Sequence, residues 1–437
     1  MGNGMSDQVR VWMRGLGVSI PDRCLTNEAL EKGMPWLRTS AQWISEHTGI
    51  LQRHVADSDK WATDLGYEAA KEALELSGME PEDIEMVLFA TNTNPQIYPA
   101  GASRIQGAFG KDERGRLRMY RAGALDLQMG CASWLGAMGM AMGMIRGGTF
   151  SNILVVGADV ATRMVDWSDR DAILLGDAGT ACVLSKDPRP SGVSVFPQME
   201  LLSFFSRTDP LTADAIYQKG PLNPENDPFN FLGRDIGVDL EPLEARKALY
   251  PPEFFGGPEE NRMQFFKMDG RKVYRFVRGT VPREGYLEVL RSAGLVEDAP
   301  EELGLDSIQG LDEVKDKERR MAIASYLASK VDCFVPHSAN LSLNQELAEG
   351  MKIPFERMYI TLHKYGNTSA ASVGLSLYEG LRQKGRYQTL TKRDGQGKIK
   401  VPSREITVKK LEPGMNCLLL SFGAGNSWNS LMARVHE

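Results

Sequence analysis

Short apolar runs alternate with amphipathic stretches along most of the chain. VRVWMRGLGVSIP (9–21) reads as a strand that ends near Pro21, IEMVLFAT (84–91) and NILVVGAD (152–159) as short apolar strands, and AGTACVLSK (178–186) as another, after the turn at Gly176 and Asp177. ATDLGYEAAKEALELSG (62–78) has helical spacing and a glycine stop at Gly78. The second half repeats this grammar. RRMAIASYLASK (319–330) is a helix, VDCFVPH (331–337) a strand, GNTSAASVGLSLYEGLRQ (366–383) a helix of small residues, and MNCLLLSFGAG (415–425) and NSLMARVHE (429–437) are strands. Short apolar strands separated by helices predict an α/β fold with its sheet covered on both faces.

The halves correspond element by element. Helix then DIEMVLFATNTN parallels helix then VDCFVPHSAN, NILVVGAD parallels NCLLLSFGAG, and Cys131 with its small-residue helix parallels Asn367 with its own. The order predicts a duplicated unit. The expected division is an N-terminal half over 1–190, a loop-rich insertion or cap over 191–267 and a C-terminal half over 268–437. Residues 196–267 are rich in Phe, Pro and Asp with weak periodicity, which predicts an excursion that caps a pocket or meets another subunit. Residues 111–123 form a smaller excursion. Residues 382–410 are basic, and KIKVPSREITVKKL alternates as an exposed, solvated hairpin does; docking of an acidic partner is the alternative.

Composition narrows the function. The 437 residues carry a formal net charge of -6, so no general attraction to nucleic acid is expected. No apolar run is long enough to span a bilayer, and the N-terminus lacks a signal-peptide pattern. MGNGMS fits the loose myristoylation pattern through Gly2 and Ser6, a pattern short enough to recur by chance. Cys24, Cys131, Cys182, Cys333 and Cys417 include no CxxC pair, so neither a zinc site nor another metal site is expected; the odd, scattered set fits reduced thiols in a cytoplasmic protein. Four of the five are expected in or near the core.

Cys131 differs. It precedes SWLGAMGMAMGMIR, which has small or apolar residues on every face through Ile145 and predicts a helix buried all round. The helix from Ser369 has the same character. Two such helices lying back to back would bring Cys131 and Asn367 towards one point, and a helix N-terminus favours thiolate. Of the five histidines, His436 is at the tail, His54 is in a polar stretch and His363 is in a loop. His337 ends an apolar strand, where open sheets present ligand sites, and is a plausible partner for the thiol.

DLQMGCASWLGAM, VPHSANLSL, YGNTSAASVGLSL and FGAGNSW resemble signature segments of the ketoacyl-acyl-carrier-protein synthase III family of the thiolase superfamily. LRTSAQWISEHTGILQRHVADSD and KMDGRKVYRFV look like two more, and the likeness runs from about residue 10 to the C-terminus. It implies a thiolase-like duplicated α-β-α-β-α arrangement with buried central helices, two halves each with a five-stranded sheet, and a homodimer. It implies Cys131 as acyl-accepting nucleophile with His337 and Asn367 as partners, and the backbone N–H groups of Cys131 and Ala424 as oxyanion hole. Trp43 and Arg170 match residues that sandwich the coenzyme A adenine, Asn340 one that orders a site water, Tyr98 an aromatic supplied to the acyl pocket across the dimer, and Phe422 a phenylalanine that shields the cysteine.

The expected reaction is acyl transfer from a coenzyme A or acyl-carrier-protein thioester to Cys131, then decarboxylative Claisen condensation with a malonyl-type thioester, with no cofactor beyond these substrates. A cysteine-dependent acyltransferase forming an ester or amide is the alternative. His47 and Ser342 stand where many members have arginines, and GNSWNS lacks the usual glycine string. With the enlarged 196–267 segment, these departures point to a specialised fatty acid or polyketide pathway and a larger or carrier-bound acyl donor.

Overall fold

The computed structural model describes residues 8–165, 167, 170–194, 196–218, 266–393 and 399–437. Gly2 and Ser6 lie outside them, as does most of the expected cap. One sheet holds nine strands: β1 (Val11–Ser19), β2 (Met86–Ala90), β3 (Gly123–Leu127), β4 (Asn152–Val160), β5 (Asp177–Ser185), β6 (Gln198–Thr208), β7 (Cys333–Pro336), β8 (Asn416–Gly423) and β9 (Ser427–His436). Their order is β3-β2-β4-β5-β1-β6-β9-β8-β7. β2 runs parallel to β3 and β4, and β7 parallel to β8; the other pairings are antiparallel. The helices that bear on the site are α1 (Ala41–Thr48), α2 (Ala62–Ser77), α3 (Ser133–Arg146), α4 (Gly270–Gly279), α5 (Lys317–Ser329), α6 (Leu341–Gly350) and α7 (Ser372–Arg382).

The order is symmetric about the β1–β6 pair, so the duplication read from the sequence is physical. β1, β5, β4 and β2 of the first half match β6, β9, β8 and β7 of the second. The match corrects two expectations. Residues 198–208 are not part of an excursion: β6 joins the halves through Val11–Leu201, Trp12–Glu200 and Met13–Met199. Its alternation was masked by the Pro- and Asp-rich sequence beyond it. Among the described residues, the second half has four strands of the main sheet rather than five. Its outer place is held by an isolated bridge between Phe334 and Met358, because Pro354 and the tight turn Phe355–Arg357 interrupt extended chain there.

α3 is buried on every face only from Ser133 to Gly139; Met140 is exposed. It lies across strands of both halves, and a Cβ on Gly139 would overlap the ring of Phe204, so the glycines are the means of close packing. α7 likewise packs on strands of both halves. The turn Ser369–Ala371 ahead of it packs against α3, so the two helix starts, more than their lengths, come together. Gly78 ends α2 in the left-handed conformation, as its position predicts.

Cys182, Cys333 and Cys417 are buried, but Cys24 is exposed, on a short strand paired with Gln52–His54 outside the main sheet. KIKVPSREITVKKL does not close on itself as a hairpin: Glu405–Val408 pairs with Gly385–Gln388 and Ile399–Val401 with Lys392–Arg393, and the stretch is not wholly solvated, since Tyr387, Ile406 and Val408 are buried. Among the described residues, no helix is long and apolar enough to cross a membrane, and no cluster of His, Cys, Asp or Glu could hold a metal ion.

Candidate active site

Cys131 stands just ahead of α3, whose N-cap is Ala132. Here the chain meets the end of β8 backbone to backbone. A Cβ on Gly130, which has φ +57, would overlap the Ala424 N, and one on Gly423 would overlap the Cys131 N. Only glycine allows this approach, and it sets the N–H groups of Cys131 and Ala424 beside each other, the pair expected as oxyanion hole.

His337 follows β7 and is 1% exposed. Its N–H donates to the Leu420 carbonyl at 2.7 Å, and its own carbonyl accepts from Asn344 Nδ2 at 2.8 Å. The ring is held by Nδ1, which hydrogen-bonds Ser372 Oγ at the start of α7, and by the edge-to-face ring of Phe422, centroids 5.2 Å apart. Nε2 is left for the cavity. Asn340 is the N-cap of α6, its Oδ1 accepting from Ser342 N at 2.8 Å.

Asn367 is stitched to the first half. Its N–H donates to the Leu174 carbonyl at 2.8 Å, and its carbonyl accepts from Gly176 N at 3.0 Å. Its side-chain Oδ1 accepts from Ser369 N at 2.9 Å. With the oxygen so engaged, Nδ2 is the free donor of the carboxamide.

Three residues that the sequence reading did not single out complete this corner. Asp159, the last residue but one of β4, is fully buried and accepts from Thr91 Oγ1, Asn92 N, Asn92 Nδ2, Thr93 Oγ1 and Ala370 N at 2.7 to 3.2 Å. Asn92 Nδ2 also donates to Ser369 Oγ at 3.2 Å, and Ser369 Oγ donates to Cys131 Sγ at 3.5 Å. The available signal was an acidic residue near the end of an otherwise apolar strand, a position that favours water unless donors surround it.

Cys131, His337, Asn367, Asn340, Phe422 and Ala424 line one cavity of about 460 Å³. Ile216, Tyr217 and Phe266 of the expected cap and Met268 just after it line it as well, as do His47 and Ser342. Trp43 stacks on His47 (4.3 Å, 12°), and the Arg170 guanidinium lies 4.4 Å from the Trp43 ring centroid. The two expected adenine-sandwiching residues are therefore together, and an inserted ring would have to part them. Tyr98 does not reach the cavity of its own chain; it is 82% exposed, next to exposed Ile97.

Burial pushes the Cys131 thiol up to about 11, with the Asp159 charge acting the same way and the Ser369 hydrogen bond opposing. This runs against the expectation that the helix start favours thiolate: desolvation disfavours the charged form of the thiol. Burial also holds His337 down at about 3 and, with Lys364 nearby, His363 at about 4. Both rings are neutral at pH 7, so a neutral imidazole, that of His337, and a protonated thiol line the same cavity.

A group held neutral in the fold but protonated when unfolded stabilises fully above its unfolded value, near 6.5, and loses that contribution as pH falls towards the folded value. At pH 5 the His337 contribution is on the order of 2 kcal/mol smaller than at neutrality. Thermal melting is expected at lower temperature at pH 5 than at pH 7.5, with part of the difference removed in His337→Asn; an unchanged difference would exclude this origin.

A thiol at a helix start, a buried imidazole and a carboxamide, supplied by two matching halves, define the class: a thiolase-fold acyltransferase. Residues 125–199 match the model of 3-oxoacyl-[acyl-carrier-protein (ACP)] synthase III, and residues 321–390 that of its C-terminal part. The chain is 30% identical over 375 residues to the beta-ketoacyl-[acyl-carrier-protein] synthase III of Bartonella tribocorum, covering 85% of this chain and 91% of that one. The crystal structure of the Thermus thermophilus synthase III superposes with a TM-score of 0.65 at 26% identity, covering 96% and 98% of the two chains. The priming beta-ketosynthase of the R1128 polyketide pathway, at 22% identity and TM-score 0.66 over 100% and 98%, shares the fold. The chain belongs to the beta-ketoacyl-[acyl-carrier-protein] synthase III family and is a condensing acyltransferase of that type.

Proposed function

We propose that the chain loads an acyl group from a coenzyme A or carrier-protein thioester onto Cys131 and condenses it with a malonyl-type thioester. The observation that carries this reading is that Cys131, Ala424, Asn367 and His337 all line one cavity, with Asn367 Oδ1 and His337 Nδ1 engaged elsewhere. In loading, the Cys131 sulfur bonds to the thioester carbonyl carbon, the oxyanion is held by the two backbone N–H groups, and the donor leaves as a thiol carrying the proton. In condensation, the malonyl carbon–carboxylate bond breaks and carbon dioxide leaves. The electron pair remains as an enolate, whose carbon attacks the acyl carbonyl while the Cys131 sulfur departs. When Ser372 donates to Nδ1, the His337 hydrogen is on Nε2, and it joins Asn367 Nδ2 on the enolate oxygen. Neutral donors suit an enolate that a nearby carboxylate would repel.

Trp43 and Arg170 clamp the adenine when the donor is coenzyme A, a stack to which guanidinium is suited. Ile216, Tyr217 and Phe266 of the 196–267 segment line the cavity, which supports a donor larger than acetyl and a specialised fatty acid or polyketide pathway. Tyr98 and Ile97, beside the exposed edge strand β3, support a homodimer in which Tyr98 completes the partner's acyl pocket. Five free cysteines support a cytoplasmic setting.

The test is intact mass after incubation with a panel of acyl-CoAs, followed by malonyl-CoA or malonyl-carrier protein with detection of carbon dioxide and 3-ketoacyl product. Asn367→Ala is expected to load within about threefold of wild type but condense about 10²–10³ times more slowly, the loss usual for one oxyanion donor. Discharge only by alcohols or amines would favour the ester- or amide-forming alternative, and no adduct with any donor would refute the reading.

A further inference from the structure

Ser369 has φ +51, a left-handed backbone that is uncommon for residues other than glycine. Three contacts hold it there: its own N–H on Asn367 Oδ1, the next N–H, of Ala370, on Asp159, and its hydroxyl between Asn92 Nδ2 and Cys131 Sγ. The direction of this chain of hydrogen bonds is not free. Both Asp159 oxygens already accept backbone N–H groups, Oδ1 from Asn92 and Oδ2 from Ala370. Only the NH₂ end of the Asn92 carboxamide can therefore face Oδ2. That same NH₂ group supplies its second hydrogen to Ser369 Oγ. The hydroxyl, with a lone pair occupied, directs its own hydrogen to the sulfur.

We propose that Ser369 is a further catalytic residue, a hydroxyl donor to the Cys131 sulfur whose direction is fixed by Asp159 through Asn92. The inference rests on the reading of Cys131 as nucleophile and deepens it. Asn92 donates in both directions, so the chain cannot carry a proton from the sulfur to Asp159. Its effect is electrostatic: a donor aimed at sulfur stabilises the sulfur while it bears charge, on attack and again when the sulfur departs in condensation. Asp159, acting through Asn92, is a positioning residue. Its charge alone disfavours thiolate, and the hydroxyl it orients acts in the other direction. Among the described residues, the other titratable groups that line the cavity with Cys131 are His337, His47, Tyr217 and Tyr274.

The test separates chemistry from backbone strain. Ser369→Ala removes the hydroxyl and keeps a side chain at the left-handed position, whereas Ser369→Gly removes the hydroxyl and relieves the strain. Iodoacetamide labelling of Cys131, followed by peptide mass between pH 7 and pH 10, requires no substrate. Both variants are expected to label about tenfold more slowly at pH 8, with the rate–pH profile displaced upward by about 1, the size of effect that one hydrogen bond to a charged acceptor supplies. Ser369→Gly is expected to melt at or above the wild-type temperature. Wild-type labelling rate and profile in either folded variant would overturn the proposal and leave the nucleophile reading intact. A wild-type protein in which Cys131 does not label at any pH would refute both.

Discussion

Cys131→Ala is expected to carry no acyl adduct from any donor and to condense on the order of 10⁵–10⁶ times more slowly, the scale on which removal of a nucleophile acts when the remaining machinery stays in place. The structural cost is expected to be small, because the side chain is small and faces a cavity whose walls are held by other residues. Near-wild-type melting is therefore part of the expected result. A second part distinguishes the two half-reactions. His337 and Asn367 keep their supports, Ser372 for one and Ser369 N–H for the other, so the variant is expected to retain slow decarboxylation of a malonyl thioester. Loading that survives the substitution would mean that the acyl group rides on another residue. Loss of decarboxylation together with loading, in a folded protein, would mean that the sulfur is needed to hold the malonyl group.

Gly423→Ala is expected to reduce acyl loading by about 10²–10³, as removal of one oxyanion donor does. Gly423 is at φ -169, ordinary extended backbone, so the methyl group meets no conformational penalty. Its whole effect is the overlap with the Cys131 and Ala132 backbone nitrogens, which pushes the end of β8 from the start of α3 and parts the two N–H groups. Overpacking of this kind costs about 1–3 kcal/mol, which melting records. Loading and iodoacetamide labelling are to be measured together. A labelling rate reduced much less than loading identifies loss of the oxyanion site, whereas loading at the wild-type rate would exclude the paired N–H groups from that role.

Much of the architecture was legible because it rests on local signals. The apolar runs of β2, β4, β5, β7, β8 and β9 and the glycine stop of α2 are patterns within a single element, and the repeat is visible because both halves use them in one order. β6 was missed because its alternation lies at the head of a longer irregular stretch. The fifth strand of the second half was expected from resemblance, and a proline with a tight turn reduced it to a bridge. Cys24 was assigned to the core from its apolar neighbours; pairing with a short peripheral strand exposes it.

The site divides in the same way. Cys131, His337 and Asn367 were found from residue type, local context and motif, each within a few positions of chain. The sequence by itself determined the duplicated α/β plan, the small-residue helices and the candidates for the reacting side chains, because those follow from periodicity and chemistry along the chain. Only the tertiary structure decided that the thiol rests protonated, that Asn367 turns its NH₂ outward, and that Ser369 is pointed at sulfur by a carboxylate 210 positions earlier in the chain (Asp159 to Ser369). Desolvation and hydrogen-bond direction depend on which groups are brought around an atom from distant segments, and no local pattern encodes them.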